Sequence, residues 1–255
     1  AGSVLVWIGI LAVYIGAAES GFPTFSMETL GRLAEAGQLS EEFQTWVFPL
    51  FMVGFGVLAG MWPFHTWSPD GHVSAPTAVS MLHAGVLMKL GAYGIIRVGM
   101  VIVPEGAENW MPVLITLGTV NVLYGAVSAM SQTDLKYIIG YSSVSHMGYV
   151  LMGIATLDRI GVGGAVLQMF SHGIMTALMF LLVGAIYDRT HTRDIYALKG
   201  LFSRMGVTGF FFAIAGLASL GLPGLSGFIA EFMVFTGAFR TYLPLAILAV
   251  IGAAL

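Results

Sequence analysis

The 255-residue sequence contains no cysteine, which excludes disulfides, thiolate metal sites and iron–sulfur ligation within the chain itself. Charge is nearly as scarce, because only 9% of residues are Asp, Glu, Lys or Arg, against about 25% in a soluble domain. A water-facing surface cannot be built from so few charges. The formal net charge of -3 and the pI near 6.0 supply no basic field, and no cluster of Lys and Arg marks a nucleic-acid footprint. Also missing are a phosphate-binding glycine loop, a nucleophile triad and a haem motif. The chain opens at Ala1 inside an apolar run, with neither Met nor a basic leader, and stops inside another run, 243–255. That pattern reads as a chain without a signal peptide and as a piece of a longer protein.

What the sequence has is hydrophobicity: 57% apolar residues and a mean hydropathy of +0.89. Stretches 206–230 and 241–255 carry no charge at all, and runs of that length match the ~30 Å hydrocarbon core of a bilayer. Apolar segments at 3–18, 46–64, 75–98, 112–130, 137–157, 162–187 and 206–239, with another starting near 243, predict an all-α, polytopic bundle of about seven or eight transmembrane helices. The polar stretch 19–45 is predicted to be an extramembrane loop, with a short surface helix over Met27–Ala36. Alternating the loops puts Lys136, Arg189, Arg193, Lys199 and Arg204 on one side and Arg32, Arg97, Arg159 and Arg240 on the other. The positive-inside rule then assigns the 188–204 side to the cytoplasm.

Two segments carry internal breakers, Gly54, Gly56, Gly60 and Pro63 in one, and Gly221, Pro223, Gly224 and Gly227 in the other. Each break frees backbone groups that persist in lipid only where protein or a hydrated cavity satisfies them. Paired interrupted helices mark ion paths in transporters, although glycine and proline are also common in ordinary membrane helices.

Lys89 and Glu231 are the two charges deep within apolar segments. A charge at a helix centre costs about 2.5–3.5 kcal/mol even on insertion scales, so such groups face a polar interior; the choice is between a proton relay and a structural ion pair. His83, His146 and His172 also fall inside apolar runs, where each can hand on a proton or serve as a hydrogen-bonded structural histidine. Lys136 stands at a helix start, able to reach inward or to snorkel. His65 and His72 stand seven positions apart across Pro69, with no further ligand nearby, which argues against a metal site.

Several motifs follow one another along the chain: His65-Thr-Trp-Ser-Pro-Asp-Gly-His72 with Ala75-Pro76-Thr77, then Leu87-Met88-Lys89-Leu90-Gly91-Ala92-Tyr93-Gly94. Gln132 to Lys136, Tyr141 to Gly148, His172-Gly173 and Leu222-Pro223-Gly224 through Glu231-Phe232 complete the series. Together they resemble the antiporter-like, proton-translocating membrane subunits of respiratory complex I, of the chain M or ND-four type. The resemblance covers nearly the whole chain. It implies a partial copy of a fold of about fourteen helices in two inverted repeats, with a relay in which Lys89 is central, His172 connects and Glu231 is the acidic exit. It also implies partner subunits that hold iron–sulfur, FMN and quinone sites, and a bacterial inner membrane or equivalent energy-transducing membrane. No cofactor or metal is expected in this chain. Where the family usually has a lysine in the first broken helix, five residues before Pro63, this sequence has Leu58. A route to Lys89 by way of His83 or His65 is therefore expected, His83 lying about 9 Å along the helix from Lys89. Mrp-type sodium/proton antiporters and membrane-bound hydrogenases share most of these motifs, and a scaffold subunit that has lost transport is the remaining alternative.

Overall fold

In a bilayer core only hydrogen-bonded helices can expose backbone to lipid, and the chain is helical nearly throughout. The structure, a computed structural model, describes residues 2–255, without the side chains of 201 and 202. In chain order the helices are α1 (Gly2–Glu19), α2 (Met27–Glu35), α3 (Glu41–Ala59), α4 (Trp67–Ser74), α5 (Thr77–Ile102), α6 (Pro104–Met130), α7 (Leu135–Ala155) and α8 (Arg159–Thr190). After the 191–205 connection come α9 (Gly206–Ser219), α10 (Ser226–Thr241) and α11 (Leu243–Ala254). Six of these, α1, α3, α5, α6, α7 and α8, are long and apolar enough to cross a membrane. The chain is an integral, multi-pass membrane protein.

Two helices start earlier than hydropathy implies. α3 begins at Glu41 because Ser40 caps it, its Oγ accepting from Phe43 N at 3.3 Å, with Glu41 and Glu42 in the positive first turn. α6 begins at Pro104, where a missing N–H costs nothing, and runs through Pro112. Both anticipated breaks are present. α3 ends at Gly60, in a left-handed conformation (φ 77°), before the short α4, and α9 and α10 are separated by a turn holding Gly221 (φ 62°). α5 carries two wide π-turns, His83–Leu87 and Ile95–Gly99, that flank the Lys89 turn.

α7 lies at the centre, buried along almost its whole length between α6, α8, α4 and α10, whereas α1 packs on one side against α3. Association in lipid relies on close van der Waals approach at small residues. α6 and α7 meet at such a pair, since a Cβ at Gly148 would lie 2.6 Å from the Gly118 carbonyl oxygen and one at Gly118 would lie 3.0 Å from that of Gly148. Phe48, Phe51, Met111, Leu114, Met147 and Leu151 fill the core around this contact. On the acidic side Gln44, fully buried, donates to the Leu39 carbonyl at 2.9 Å and accepts from Glu105 N at 3.0 Å, joining the starts of α3 and α6. Gly148→Val is therefore expected to destabilise the bundle by about 1–3 kcal/mol, read as a lowered thermal midpoint in detergent. Gly216→Ala, with no neighbouring atom within 4 Å, should leave the midpoint unchanged or raise it.

Candidate functional site

Lys89 sits two residues beyond the first π-turn of α5. The widened turn aims the Ala84 carbonyl, five residues back, at the lysine Nζ, which donates to it. α8 crosses close by here, because a Cβ at Gly173 would lie 2.8 Å from the Gly85 carbonyl oxygen. That approach brings His172 Nδ1 to 2.7 Å from Lys89 Nζ. The bond exists in two forms: a charged lysine donating to a neutral ring, or a neutral lysine accepting from the ring.

His172 stacks on His146 of α7, with ring centroids 5.0 Å apart and planes 23° from parallel. His146 Nδ1 lies 2.8 Å from the Ser142 carbonyl, while its Nε2 lies 3.2 Å from the Ser219 carbonyl and 3.8 Å from Glu231 Oε1. Carbonyl oxygens only accept, so the neutral ring satisfies one of them and the imidazolium satisfies both. The Ser219 carbonyl is available because α9 ends there, at the second break. Glu231 Oε1 accepts from Gln168 Nε2 at 3.4 Å, and its Oε2 lies over Gly221, where a Cβ would stand 2.5 Å away. Glycine is required at 221 both for that space and for its positive φ. Beyond Glu231 a cavity of about 320 Å³ opens, lined by Ser142, Ser145, Tyr149 and Ser219.

The remaining sequence candidates cluster elsewhere. Lys136 Nζ, at the start of α7, donates to the Ala75 carbonyl at 2.7 Å and to Ser80 Oγ at 3.4 Å. Ser80 Oγ in turn donates to the His72 carbonyl at 2.8 Å. The His83 ring lies 4.6 Å from that of His72 and 4.9 Å from Trp67, with its outer flank among Val79, Leu82, Val86 and Leu90. His65 is buried against Tyr124, ring to ring at 4.8 Å. Leu58 lines an apolar groove with Gly54, Phe55, Val57 and Trp67. Asp134 caps α7 through Lys136 N and pairs with Arg193 at 3.0 Å on the loop.

Thus the fold brings Lys89, His172, His146 and Glu231 into one row, and gathers Lys136, His72 and His83 separately. Two further polar residues enter that sequence reasoning passed over. Gln168 precedes His172 by one helical turn and holds Glu231, and Asn121 meets the α3 break. Each was visible only as a lone amide within an apolar run.

A multi-pass bundle with two interrupted helices and a central row of ionisable side chains has the architecture of membrane transport proteins. The family model for the NADH:quinone oxidoreductase/Mrp antiporter transmembrane region matches residues 1–255, and the chain belongs to that family. It is 41% identical to NADH-quinone oxidoreductase subunit M of Rhodobacter capsulatus, over 98% of this chain and 50% of that protein. Among solved structures, a chain of respiratory complex I from Thermus thermophilus with bound NADH superposes with a TM-score of 0.91 at 32% identity, covering 99% of this chain and 53% of that one. A chain of the Mrp complex from Dietzia sp. DQ12-45-1b shares the fold, with a TM-score of 0.88 at 23% identity over 99% of this chain and 46% of that one. The chain spans about half the length of the curated relatives it matches.

Proposed function

We propose that this chain is the proton-carrying core of an antiporter-like membrane subunit in an NADH-quinone oxidoreductase of the complex I type. The row from Lys89 through His172 and His146 to Glu231, buried and contributed by four helices, carries the proposal. Three of the four row members are nitrogen bases, which bind protons and not sodium, and Glu231 is the row's one carboxylate, so the ion proposed is H⁺. The 41% identity to the Rhodobacter capsulatus subunit M favours a redox-driven complex over a cation antiporter. Iron–sulfur, FMN and quinone chemistry then belongs to partner subunits, and the energy reaches this chain from them.

On the Lys136 side, protons reach Lys89 past the His72–His83 pair, not along the Leu58 face. An aliphatic side chain in an apolar groove holds no proton, whereas His72 has polar neighbours in Ser68 and the Lys136–Ser80 pair. His83 packs directly on His72.

In the assembled complex in proteoliposomes, Lys89→Ala is expected to lower redox-driven proton translocation at least about tenfold, a barrier change of ~1.4 kcal/mol or more. Assembly on native gels should be intact; full pumping by an assembled variant would sink the relay. Glu231→Gln should impair pumping more than Asp134→Asn, since Glu231 ends the row and Asp134 anchors a loop; equal losses would displace the exit path. His83→Phe is expected to slow translocation while Leu58→Ala leaves it near the wild-type rate, and the reverse order would move the supply route to the Leu58 groove. Co-purification of NADH-oxidising subunits separates this function from cation antiport.

A further inference from the structure

Asn121 is fully buried deep in α6, and its side chain is spent on backbone groups of the α3 break and of α7. Its Oδ1 accepts from Trp62 N at 2.5 Å, and its Nδ2 donates to the Gly60 carbonyl at 2.8 Å and the Val144 carbonyl at 3.3 Å. The amide orientation follows from chemistry, because a backbone N–H only donates and a carbonyl only accepts. Gly60 and Trp62 follow directly on the end of α3, and neither the Gly60 carbonyl nor the Trp62 N–H has another partner among the described residues.

One amide therefore supplies both the donor and the acceptor that the break lacks. Leucine or isoleucine of similar size would leave the carbonyl of the buried Gly60 and the Trp62 N–H without these partners. The consequences extend to the neighbouring helices. Trp62 leads into α4, which carries His72, and Ser68 of α4 donates to Met88 Sδ at 3.4 Å, beside Lys89. A Cβ at Gly60 would lie 2.7 Å from the Met88 methyl. Val144, the third partner, precedes His146 by two residues on α7.

We propose that Asn121 is a positioning residue: it holds the α3 break and so fixes the α4 arm, with His72, against the helices that carry Lys89 and His146. The effect on transport rests on the function proposed above; the state of the break does not.

Hydrogen–deuterium exchange of the purified complex tests the lock, with each rate divided by the intrinsic rate at that pH. Asn121→Leu is expected to speed exchange at Trp62 at least about tenfold, with the Gln44 and Glu105 peptides unchanged. Asn121→Asp is the more discriminating variant. As a carboxylate it keeps an acceptor for Trp62 N but has no donor for the Gly60 and Val144 carbonyls, whose repulsion drives the side chain out of the break and releases Trp62 as well; once protonated, its hydroxyl donates to Gly60 and its other oxygen accepts from Trp62. Protection at Trp62 should therefore return as pH falls, and proton translocation measured at the same pH values should return with it.

Unchanged protection in Asn121→Leu, or an Asn121→Asp profile flat with pH, would overturn the lock. If Asn121→Leu fails to assemble, the Asn121→Asp profile decides alone. Translocation that stays at the wild-type level while Trp62 protection is lost would overturn the positioning role. A complex with Asn121 intact that moves no protons would overturn the proposed function instead, and leave the exchange result standing.

Discussion

Keeping Lys89 inside a low-dielectric bundle is the constraint on which the rest depends. An ammonium taken from water costs several kcal/mol unless polar partners surround it, and its surroundings supply them in two ways. The π-turn in α5 redirects the Ala84 carbonyl, and the Gly85–Gly173 approach admits His172. Both are backbone adjustments. A regular helix at 83–87 or a side chain at 173 would separate the pair, so the irregularities of α5 and the small residues of α8 serve the same cation.

The same logic recurs at both interrupted spans. Where α9 stops, the released Ser219 carbonyl is taken up by His146, and the glycine at 221 makes room for Glu231. Where α3 stops, Asn121 takes up the released groups from a neighbouring helix. Breaks in lipid are tolerated only with internal partners, and here those partners either belong to the ionisable row or border it. The discontinuities are therefore part of the polar interior and not lapses in helix formation.

The helical fold was legible because hydropathy and length alone select membrane spans, and the breaks because Gly60, Pro63 and Gly221 to Gly224 interrupt charge-free runs. Lys89 and Glu231 were legible as charges where charges are costly. Their connection was not, since the 83 positions between Lys89 and His172 become one hydrogen bond only through helix packing. Gln168 and Asn121 escaped notice because an uncharged amide in an apolar run lacks the energetic signature of a buried charge. The early starts of α3 and α6 were missed because Ser40 and Pro104 act through capping geometry that hydropathy ignores.

The row is also not a continuous wire. Lys89 and His172 share a hydrogen bond, and His146 with Glu231 forms a second polar group, but between the two histidines the contact is a stack of nearly parallel rings. A proton passes between imidazoles along a line from donor nitrogen to acceptor nitrogen, and stacked rings direct their nitrogens sideways instead. Passage therefore requires one ring to turn or a bridging group to intervene. The proposed proton transport would need such a gap, because an uninterrupted path from one face to the other would let a gradient run back through the protein. In the relay proposed above, His146 is suited to be the moving part: its Nε2 lies 3.2 Å from the Ser219 carbonyl, with a Glu231 carboxyl oxygen further off at 3.8 Å. Under that proposal an ionised Glu231 would draw an imidazolium toward the cavity side, and a protonated Glu231 would release His146 to face His172.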